Sequence, residues 1–350
     1  MVKISASKLN ELFAAISSKM PLYLPVDNTS GEADYGLWKE GTVFSSALNT
    51  NRSAKDFFFP QTENLMEFKM SGKNIEVIDP RKEMEDFVVF GVRACDAASF
   101  AILDRVFLVD PVDTYYKNRR EHGIIVTLSC NEMAPTCFCS LFGIDPANPK
   151  GDVSGWTDGE FYWFEANTPR GEKFTSFVES AGEKVQELDS DAVETLKEET
   201  SELVKTQAFA GMDMSLFTHE NLMEIFNSPK WAELSQACIA CGTCTFVCPT
   251  CQCYDIRDFD TGHGIKRFRC WDSCMYSDFT KMSAGQPRPT QLERFRQRFM
   301  HKLVYFPANN DGVYGCVGCG RCLAKCPISM NIVKVARALA AGVPAKKEGN

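Results

Sequence analysis

The chain has 350 residues, of which 44% are hydrophobic and 24% are charged, and its formal net charge is −8 at pH 7. This composition is typical of an ordinary globular protein, and the length allows one large core and a smaller module, so two domains are expected. A pI near 5.3 argues against general nucleic-acid binding, because phosphate contacts require a basic surface, and no apolar run is long enough to span a bilayer.

The first twenty residues predict a short amphipathic helix. Ser5 is a candidate cap for this helix. The apolar side chains that recur with helical spacing are Leu9, Leu12, Phe13 and Ile16. The segment has neither the apolar centre nor the cleavage pattern of a secretory leader. Together with sixteen cysteines, most of them in tight loops, this predicts a cytoplasmic protein with metal centres rather than a disulfide framework.

An α/β arrangement with a mainly parallel sheet is predicted for the first part of the chain. Residues 87–93 and 123–129 are short, β-rich apolar runs that suit buried strands. Residues 97–107, between them, have a helical pattern. Residues 74–78 and 160–165 are predicted as outer strands of the fold.

The boundary between the two domains is predicted after this sheet. Residues 180–205 form an acidic segment whose apolar positions have helical spacing, which predicts a helix with a solvated acidic face. Ser228 and Pro229 then begin another helix, which leads the chain to Cys238. We therefore expect an α/β domain at 1–212 and a second domain at 213–350.

Eight cysteines of the second domain fall into two copies of one pattern. C-I-A-C-G-T-C-T-F-V-C-P spans 238–249, and C-V-G-C-G-R-C-L-A-K-C-P spans 316–327. A [4Fe-4S] cluster takes four thiolates, of which a C-x2-C-x2-C loop supplies three. In two-cluster ferredoxins, which carry this double pattern, the cysteine before the proline ligates the other cluster. The pattern therefore predicts an electron carrier with an α+β, ferredoxin-like domain and two [4Fe-4S] clusters.

The cross-connection assigns the eight cysteines to two sites. The first site takes Cys238, Cys241, Cys244 and Cys326, and the second site takes Cys316, Cys319, Cys322 and Cys248. Zinc is the competing interpretation, but a tetrahedral zinc site needs neither the third cysteine of each loop nor the cysteine before the proline. Gly242, Gly318 and Gly320 let the backbone approach the sulfurs, where its N–H groups help to set the reduction potential.

A long insertion at 249–315 separates the two runs, and we expect it to be helical. Thr290 and Glu293 form the T-x-x-E pattern of a capping box. The apolar stripe that follows consists of Leu292, Phe295, Phe299 and Leu303, and is most simply explained by core packing. The opposite face carries Arg294, Arg298 and Lys302, which predicts a solvated surface in preference to a docking face for an acidic partner.

Four further cysteines follow the two central strands of the α/β domain. They are Cys95 in R-A-C-D, Cys130, and Cys137 and Cys139 in T-C-F-C. Ligands gather at the carboxyl ends of parallel strands, so these thiols are expected to meet and to hold a third [4Fe-4S] cluster, which we call the third site. The alternative that some of them are small buried apolar residues stays open.

The last four cysteines lie in the insertion and are candidates for a fourth [4Fe-4S] cluster. They are Cys251, Cys253, Cys270 and Cys274. Cys251 and Cys253 are so near Cys248 in sequence that shielding or hydrogen bonding of the second site is the alternative. His263 and His301 are candidate ligands in the same region, although a single histidine is more often a surface or capping residue.

Taken together, these motifs resemble the iron-sulfur subunits typified by sulfhydrogenase beta subunits and, more distantly, by anaerobic sulfite reductase A subunits. The matching stretches are F-G-V-R-A-C-D at 90–96, Y-Y-K-N-R-R-E at 115–121, T-C-F-C at 136–139, W-D-S-C at 271–274, H-K-L-V-Y-F at 301–306 and the two cysteine runs. The W-D-S-C form is closer to the sulfhydrogenase type. Cys270 departs from the family pattern, whereas the third-site cysteines fit it.

The resemblance implies a non-catalytic electron-transfer subunit of a multisubunit oxidoreductase of anaerobic metabolism. Such subunits carry electrons between an FAD-containing, NAD(P)H-oxidising subunit and a catalytic partner. That partner is a nickel-iron hydrogenase, a heterodisulfide-reductase-like module or a sirohaem sulfite reductase. The chain itself has no G-x-G-x-x-G loop that opens a helix after a strand, so we do not expect it to bind nicotinamide or flavin.

Two other functions stay open on the sequence alone. In a reductase, substrate would bind at the cluster of the third site, and Arg93, Arg119 and Arg120 are the candidate anion-binding residues. In a structural adaptor, the α/β domain would only dock partners, and the protein would hold about eight irons and no more.

Overall fold

The computed structural model describes residues 1–185, 187–209 and 211–342. Its strands are β1 (Val2–Ser5), β2 (Leu22–Asp27), β3 (Ala33–Leu37), β4 (Thr62–Ser71), β5 (Asn74–Ile78), β6 (Phe87–Val92), β7 (Gly123–Thr127), β8 (Val153–Thr157), β9 (Phe161–Ala166), β10 (Glu183–Lys184), β11 (Tyr254–Asp260) and β12 (Gly264–Trp271).

The α-helices alternate with these strands in the first two-thirds of the chain and dominate the last third. They are α1 (Leu9–Ser17), α2 (Lys55–Phe58), α3 (Ala94–Phe107), α4 (Thr114–His122), α5 (Pro169–Ala181), α6 (Glu187–Lys205), α7 (Leu222–Phe226), α8 (Lys230–Gln236), α9 (Thr243–Phe246), α10 (Gln291–Met300), α11 (Phe306–Ala308), α12 (Arg321–Ala324) and α13 (Ile332–Gly342). A π-helix, His301–Tyr305, joins α10 to α11. In the part of the chain that the structure describes, no helix has the length and apolar character needed to cross a membrane.

The larger sheet is parallel only at its centre. Its strand order is β10-β1-β9-β8-β7-β6-β2-β3. Strands β2, β6, β7 and β8 pair in parallel, whereas every other pair in this sheet is antiparallel. The predicted mainly parallel sheet is therefore corrected to a mixed sheet, because short connections fold β3 and β9 back against the strands that precede them.

Two helical layers enclose the parallel centre. Side chains alternate between the two faces of a strand, so Val88 and Phe90 of β6 pack with α1 and α5, while Phe87 and Val89 pack with α2 and α3. The predicted strands at 87–93 and 123–129 and the helix between them are confirmed as β6, β7 and α3. This arrangement directs the carboxyl ends of β6 and β7 toward the same edge of the sheet.

The edges of the fold differ from the sequence prediction in three details. Residues 2–5 form strand β1, which pairs with β9, and the predicted helix begins only after a short 3-10 turn capped by Ser5. The predicted apolar face of α1 is buried as expected. Strand β9, predicted as an outer strand, lies between β1 and β8 because β1 covers it. Residues 74–78 form the edge strand β5, but in a separate sheet.

The acidic segment predicted at 180–205 is helical over α6, and residue 186 lies outside the described residues. Val193 packs against Trp156 and Trp163 of the larger sheet, while Glu198 and Glu199 face solvent. The helix predicted after Pro229 is also present as α8, with Trp231 and Leu234 buried.

A second, antiparallel sheet has the order β11-β12-β4-β5. It joins a hairpin of the insertion to strands from residues 62–78, so it crosses the predicted domain boundary, and the division at residue 212 stays a prediction. The expectation of a helical insertion is corrected, because residues 254–271 form this hairpin. This pairing could not be predicted from local sequence patterns, because β4 and β12 are far apart in the sequence. The helix of the insertion, with its Thr290–Glu293 capping box, is confirmed as α10.

Arg269 of β12 anchors the second sheet to the rest of the protein. Its guanidinium forms an ion pair with Glu63 of β4 and another, at 2.5 Å, with Asp113, which caps α4. The carbon of the guanidinium also lies 4.9 Å from the centre of the Phe59 ring. Arg269 is 2% exposed, so these carboxylates, rather than solvent, compensate its positive charge.

We expect Arg269→Met to lower the free energy of unfolding by about 3–5 kcal/mol, because it leaves Asp113 and part of the Glu63 charge uncompensated. Arg267→Met is the matched control, since Arg267 lies two residues away on the same strand but pairs with Asp258 in solvent. The control should change the stability by no more than about 0.5 kcal/mol. Anaerobic denaturant titration followed by circular dichroism measures both, and equal losses would contradict the anchor role.

Candidate iron-sulfur sites

The four cysteines predicted for the first site line one cavity. Cys238 and Cys241 come from the loop between α8 and α9, Cys244 lies in the first turn of α9, and Cys326 comes from the loop after α12. Ala240 and Gly242 have positive φ angles of 54° and 74°, which turn this loop around the cavity. The backbone N–H of Met330 donates to the sulfur of Cys326 at 3.2 Å. The structure thus brings the two cysteine runs together at the first site.

The second-site cysteines lie close to one another, with Cys319 buried and the other three partly buried. Burial is the main cause that raises the pKa of Cys316, Cys319 and Cys322 to about 12, and the negative charge of Cys248 contributes to each of these shifts. The pKa of Cys248 itself is held well below its usual range by a hydrogen bond from the Cys251 thiol. The Cys248 sulfur therefore lies close to the second run, but it also interacts electrostatically with Cys244, and its assignment to the second site stays a prediction.

The third-site cysteines also converge, at the carboxyl ends of β6 and β7. All four are buried. Burial is the main cause that raises the pKa of Cys130 to about 12, and the charges of Cys139 and Cys137 contribute to this shift. The pKa of Cys95 is raised well above its usual range by burial, and Cys139 adds to this increase. Gln207 donates from its side-chain amide to the sulfur of Cys139 at 3.3 Å.

The loops of the second and third sites touch directly. The backbone N–H of Phe138 donates to the carbonyl of Gly318 at 3.0 Å. A Cβ atom at Gly318 would lie 2.4 Å from the Phe138 carbonyl oxygen, and one at Gly320 would lie 2.5 Å from the Thr136 carbonyl oxygen. Both glycines also have positive φ angles. These two positions therefore require glycine because the T-C-F-C loop lies against them.

A buried ion pair fixes the same contact. Arg321, at the start of α12, binds Asp96 of α3 through two hydrogen bonds of 2.5 and 2.7 Å. Its Nε also donates to the carbonyl of Thr50 at 2.8 Å. Arg321 and Asp96 are 4% and 1% exposed. Because Asp96 follows Cys95 and Arg321 precedes Cys322, the pair sets the position of the third site relative to the second.

Two cations of the insertion lie inside the protein, against expectation. Arg298 is 3% exposed and Lys302 is 5% exposed, so the predicted solvated face is wrong at these positions. Burial lowers the pKa of Arg298, but the charges of Cys244 and Cys322 outweigh burial and raise it above its usual range. Lys302 donates to the Thr250 hydroxyl and the Gly315 carbonyl. Helical spacing in the sequence reveals the apolar stripe of α10. It does not reveal that cysteine sulfurs lie against the opposite face of the helix and keep these cations buried.

Lys55 is a site residue that the sequence analysis missed. It is 1% exposed, and its ammonium group donates to the carbonyls of Cys248 and Cys251, both at 3.0 Å. The ammonium group also lies 3.5 Å from the centre of the Trp271 ring. Burial lowers its pKa. No local pattern marks Lys55, because its partners are almost two hundred residues away.

The structure brings together only three of the four cysteines predicted in the insertion. Cys251, Cys253 and Cys274 line one pocket, together with His301. Cys270 lies within β12, opposite Asp255 and Thr62. Since side chains alternate along a strand, Cys270 is on the opposite face from Arg269 and Trp271, which pack inward. The predicted quartet is therefore corrected at Cys270. His263 is exposed in the hairpin turn.

The three arginines of the reductase alternative already have partners. Arg93 donates to the carbonyls of Ser129, Leu48 and Ala47. Arg119 pairs with Glu63, and Arg120 makes two 2.9 Å hydrogen bonds to Asp104. Binding of an anion would therefore have to compete with carboxylates at Arg119 and Arg120.

Buried thiols in groups, with buried cations beside them, suit iron-sulfur clusters. Thiolates are the soft ligands that such clusters prefer, and nearby positive charge stabilises them. Across residues 1–185, 187–209 and 211–342, no three His, Cys, Asp or Glu side chains have the spacing that one metal ion requires. The sites are instead defined by shared cavities and by the electrostatic coupling of their sulfurs.

Comparison with known proteins supports this assignment. Residues 237–330 match the family described as a 4Fe-4S dicluster domain. The chain is 29% identical over 343 residues to sulfhydrogenase 2 subunit beta of Pyrococcus furiosus. The alignment covers 95% of this chain and 96% of that protein. No solved structure matches the chain. The prediction of two [4Fe-4S] clusters is confirmed.

We expect Arg298→Gln to lower the reduction potentials of the first and second sites by roughly 60 mV, the value of one tenfold step in a one-electron couple. The reason is that reduction adds negative charge, which the buried cation stabilises. Arg294→Gln is the control on the same helix, because Arg294 donates to the backbone carbonyls of Arg288 and Pro289. EPR-monitored redox titration measures the potentials, and equal potentials in both variants would contradict this role.

Proposed function

We propose that the chain, which contains a 4Fe-4S dicluster domain and is similar to a sulfhydrogenase beta subunit, relays electrons within a multisubunit cytoplasmic oxidoreductase. One partner is an FAD-containing subunit that oxidises NAD(P)H. The other is a catalytic subunit, for which the name of the Pyrococcus furiosus relative favours a sulfhydrogenase-type nickel-iron hydrogenase over a heterodisulfide-reductase-like module. A [4Fe-4S] cluster supplies the chemistry, since it gains and loses one electron at a time.

The proposal assigns three sites to this chain. The first site is held by Cys238, Cys241, Cys244 and Cys326, the second by Cys316, Cys319, Cys322 and Cys248, and the third by Cys95, Cys130, Cys137 and Cys139. The first two form a ferredoxin-like unit in the region 213–350. The third belongs to the α/β region, 1–212.

The observation that carries the proposal is the contact between neighbouring sites. Cys244 of the first site and Cys322 of the second interact electrostatically, as do Cys319 of the second site and Cys95 of the third. Cys241 is exposed, whereas Cys130 is buried. Electron transfer between carriers falls off steeply with distance, so an unbroken row of sites from the surface into the α/β region supports a relay.

Protein side chains around the row stabilise charge and exclude water. Arg298 lies beside the first and second sites, and Arg321 lies between the second and third. Lys302 lies beside the second site and is held by Thr250. Each cation stabilises the negative charge of thiolates that burial alone would disfavour.

A second candidate function is a reductase with its substrate beside the third site. A cavity of about 500 Å³ borders this site through Ala94 and Ile144. Arg120 and Arg170 line the same cavity, but they pair with Asp104 and Asp152. These ion pairs neutralise the positive charge at the cavity wall, which favours the relay over a reductase that binds an anionic substrate there. An electron-transfer subunit of a sulfite reductase remains the alternative assembly.

We expect Cys238→Ser and Cys326→Ser to remove the same cluster, about four irons per chain, although the two residues belong to different runs. In the complex, both variants should stop NAD(P)H-driven reduction of the catalytic partner. Iron and sulfide analysis with EPR on the anaerobically purified full chain, followed by assays of the copurified complex, measures both effects.

Loss of two different clusters would contradict the cross-connected ligand assignment. Failure of a flavin subunit and a catalytic subunit to copurify from anaerobic cells would contradict the relay. Reduction of sulfite or a sulfur compound by the isolated chain with an artificial donor would instead establish the reductase.

The exposed end of the row predicts where a partner docks. Ile239 is 63% exposed and lies between two cysteines of the first site. We expect Ile239→Glu to slow electron exchange with a partner at least tenfold without loss of iron. The reason is that docking would bury the new carboxylate, and removing this charge from water is unfavourable. Phe259→Glu is the matched control, since Phe259 is 61% exposed on β11. Stopped-flow measurements of exchange compare the two, and equal rates would contradict docking at the first site.

A further inference from the structure

A pocket in the insertion brings three thiols and one imidazole together. Cys251, Cys253, Cys274 and His301 line its wall, with Arg298 and Lys302 beside them. The eight cysteines of the repeated pattern are enough for two clusters, so none of these six residues is needed as a ligand for them.

We propose that this pocket is a fourth metal site, which binds an iron-sulfur cluster through Cys251, Cys253, Cys274 and the imidazole of His301. We call it the fourth site. The inference goes beyond the relay, because the pocket would bind its cluster whichever partners the chain has. It also replaces the fourth ligand that the sequence suggested, Cys270, by a histidine.

The base of the β11–β12 hairpin positions the cysteines. Cys253 precedes β11 and Cys274 follows β12, and the register pairs Tyr254 with Trp271. The N–H of Asp272 donates to the carbonyl of Cys253 at 3.0 Å, which closes the hairpin at this end. Residues separated by about twenty positions in sequence are therefore held side by side. Cys251 enters from the chain that leaves the first cysteine run.

The π-helix that follows α10 supplies the fourth ligand. His301 is its first residue, and short π-helical segments frequently occur at functional sites. Its ring is half-buried and lies edge-on to Phe306, with 6.2 Å between the ring centres. Within the described residues, neither ring nitrogen of His301 makes a hydrogen bond. A nitrogen is therefore available for coordination.

Buried positive charge beside the pocket also favours an anionic occupant. Arg298 is 3% exposed, and its Nε is buried without a hydrogen-bond partner in the described part of the chain. Lys302 adds a second buried positive charge. Three thiolates around an iron-sulfur cluster carry net negative charge, which would add to the compensation that both cations receive from sulfurs of the first and second sites.

The position of the pocket favours a cluster over a single ion. Three thiolates and one imidazole are also a ligand set for zinc, but the pocket lies within the 4Fe-4S dicluster domain. The fourth site also lies beside those clusters, since Cys274 interacts electrostatically with Cys244 and the Cys251 thiol donates a hydrogen bond to Cys248. It therefore sits next to the row of sites. Binding of a cluster through Cys251 requires loss of the thiol proton that Cys251 donates to Cys248.

Metal analysis of the anaerobically purified full chain tests the proposal. With all four sites filled, the wild-type protein should contain about sixteen irons, and Cys274→Ser should lose about four of them while the EPR signals of the dicluster domain persist. Cys270→Ser is the matched control and should keep the wild-type content. Equal iron content in Cys274→Ser and wild type, or loss of zinc in place of iron, would overturn the proposal.

Variants of His301 test the imidazole ligand. His301→Ala should lose the same irons as Cys274→Ser, whereas His301→Cys should retain them with a lower potential, because histidine ligands raise the potential relative to cysteine. Retention of the irons at an unchanged potential in His301→Ala would overturn the assignment of His301. These outcomes are independent of the relay, which stands or falls on the first-site variants and on the copurified partners.

Discussion

Negative charge on buried sulfur, matched by buried positive charge, is the constraint on which this structure depends. Thiolates are unfavourable inside a protein unless cations or hydrogen-bond donors lie beside them. Arg298, Lys302 and Arg321 meet this requirement from three different elements. Lys55 adds its ammonium group at the carbonyls of the segment that carries Cys248. The sulfur sites and the fold around them therefore stabilise each other.

The same charge compensation also connects the α/β region to the region that carries the two cysteine runs. Arg321 reaches from the second cysteine run to Asp96 in the α/β region, and the glycines of that run accept the T-C-F-C loop at close range. The second sheet adds a further connection, since it pairs β4 with the hairpin of the insertion. These contacts hold the cysteine loops of the dicluster domain at a fixed position relative to the cysteines of the α/β region.

Much of the local structure could be predicted because its causes are local. The apolar face of α1, the strands β6 and β7 and the capping box of α10 follow from side-chain periodicity and capping, which act within a few residues. Strand β1, the hairpin of the insertion and the position of Lys55 could not be predicted. Each depends on a partner far away in sequence, and a single sequence gives no sign of which distant segments pair.

The sequence by itself determined the cofactor chemistry, because eight cysteines at fixed spacing and two Cys-Pro steps permit little other than two cubane clusters. Only the tertiary structure decided how the other cysteines and the polar side chains near them are arranged. It moved Cys270 to the far face of a strand, brought His301 to three cysteines and turned Arg298 inward. Spacing along the chain fixes which sulfurs can share one loop, whereas convergence of separate loops depends on packing and on charge compensation in the folded state.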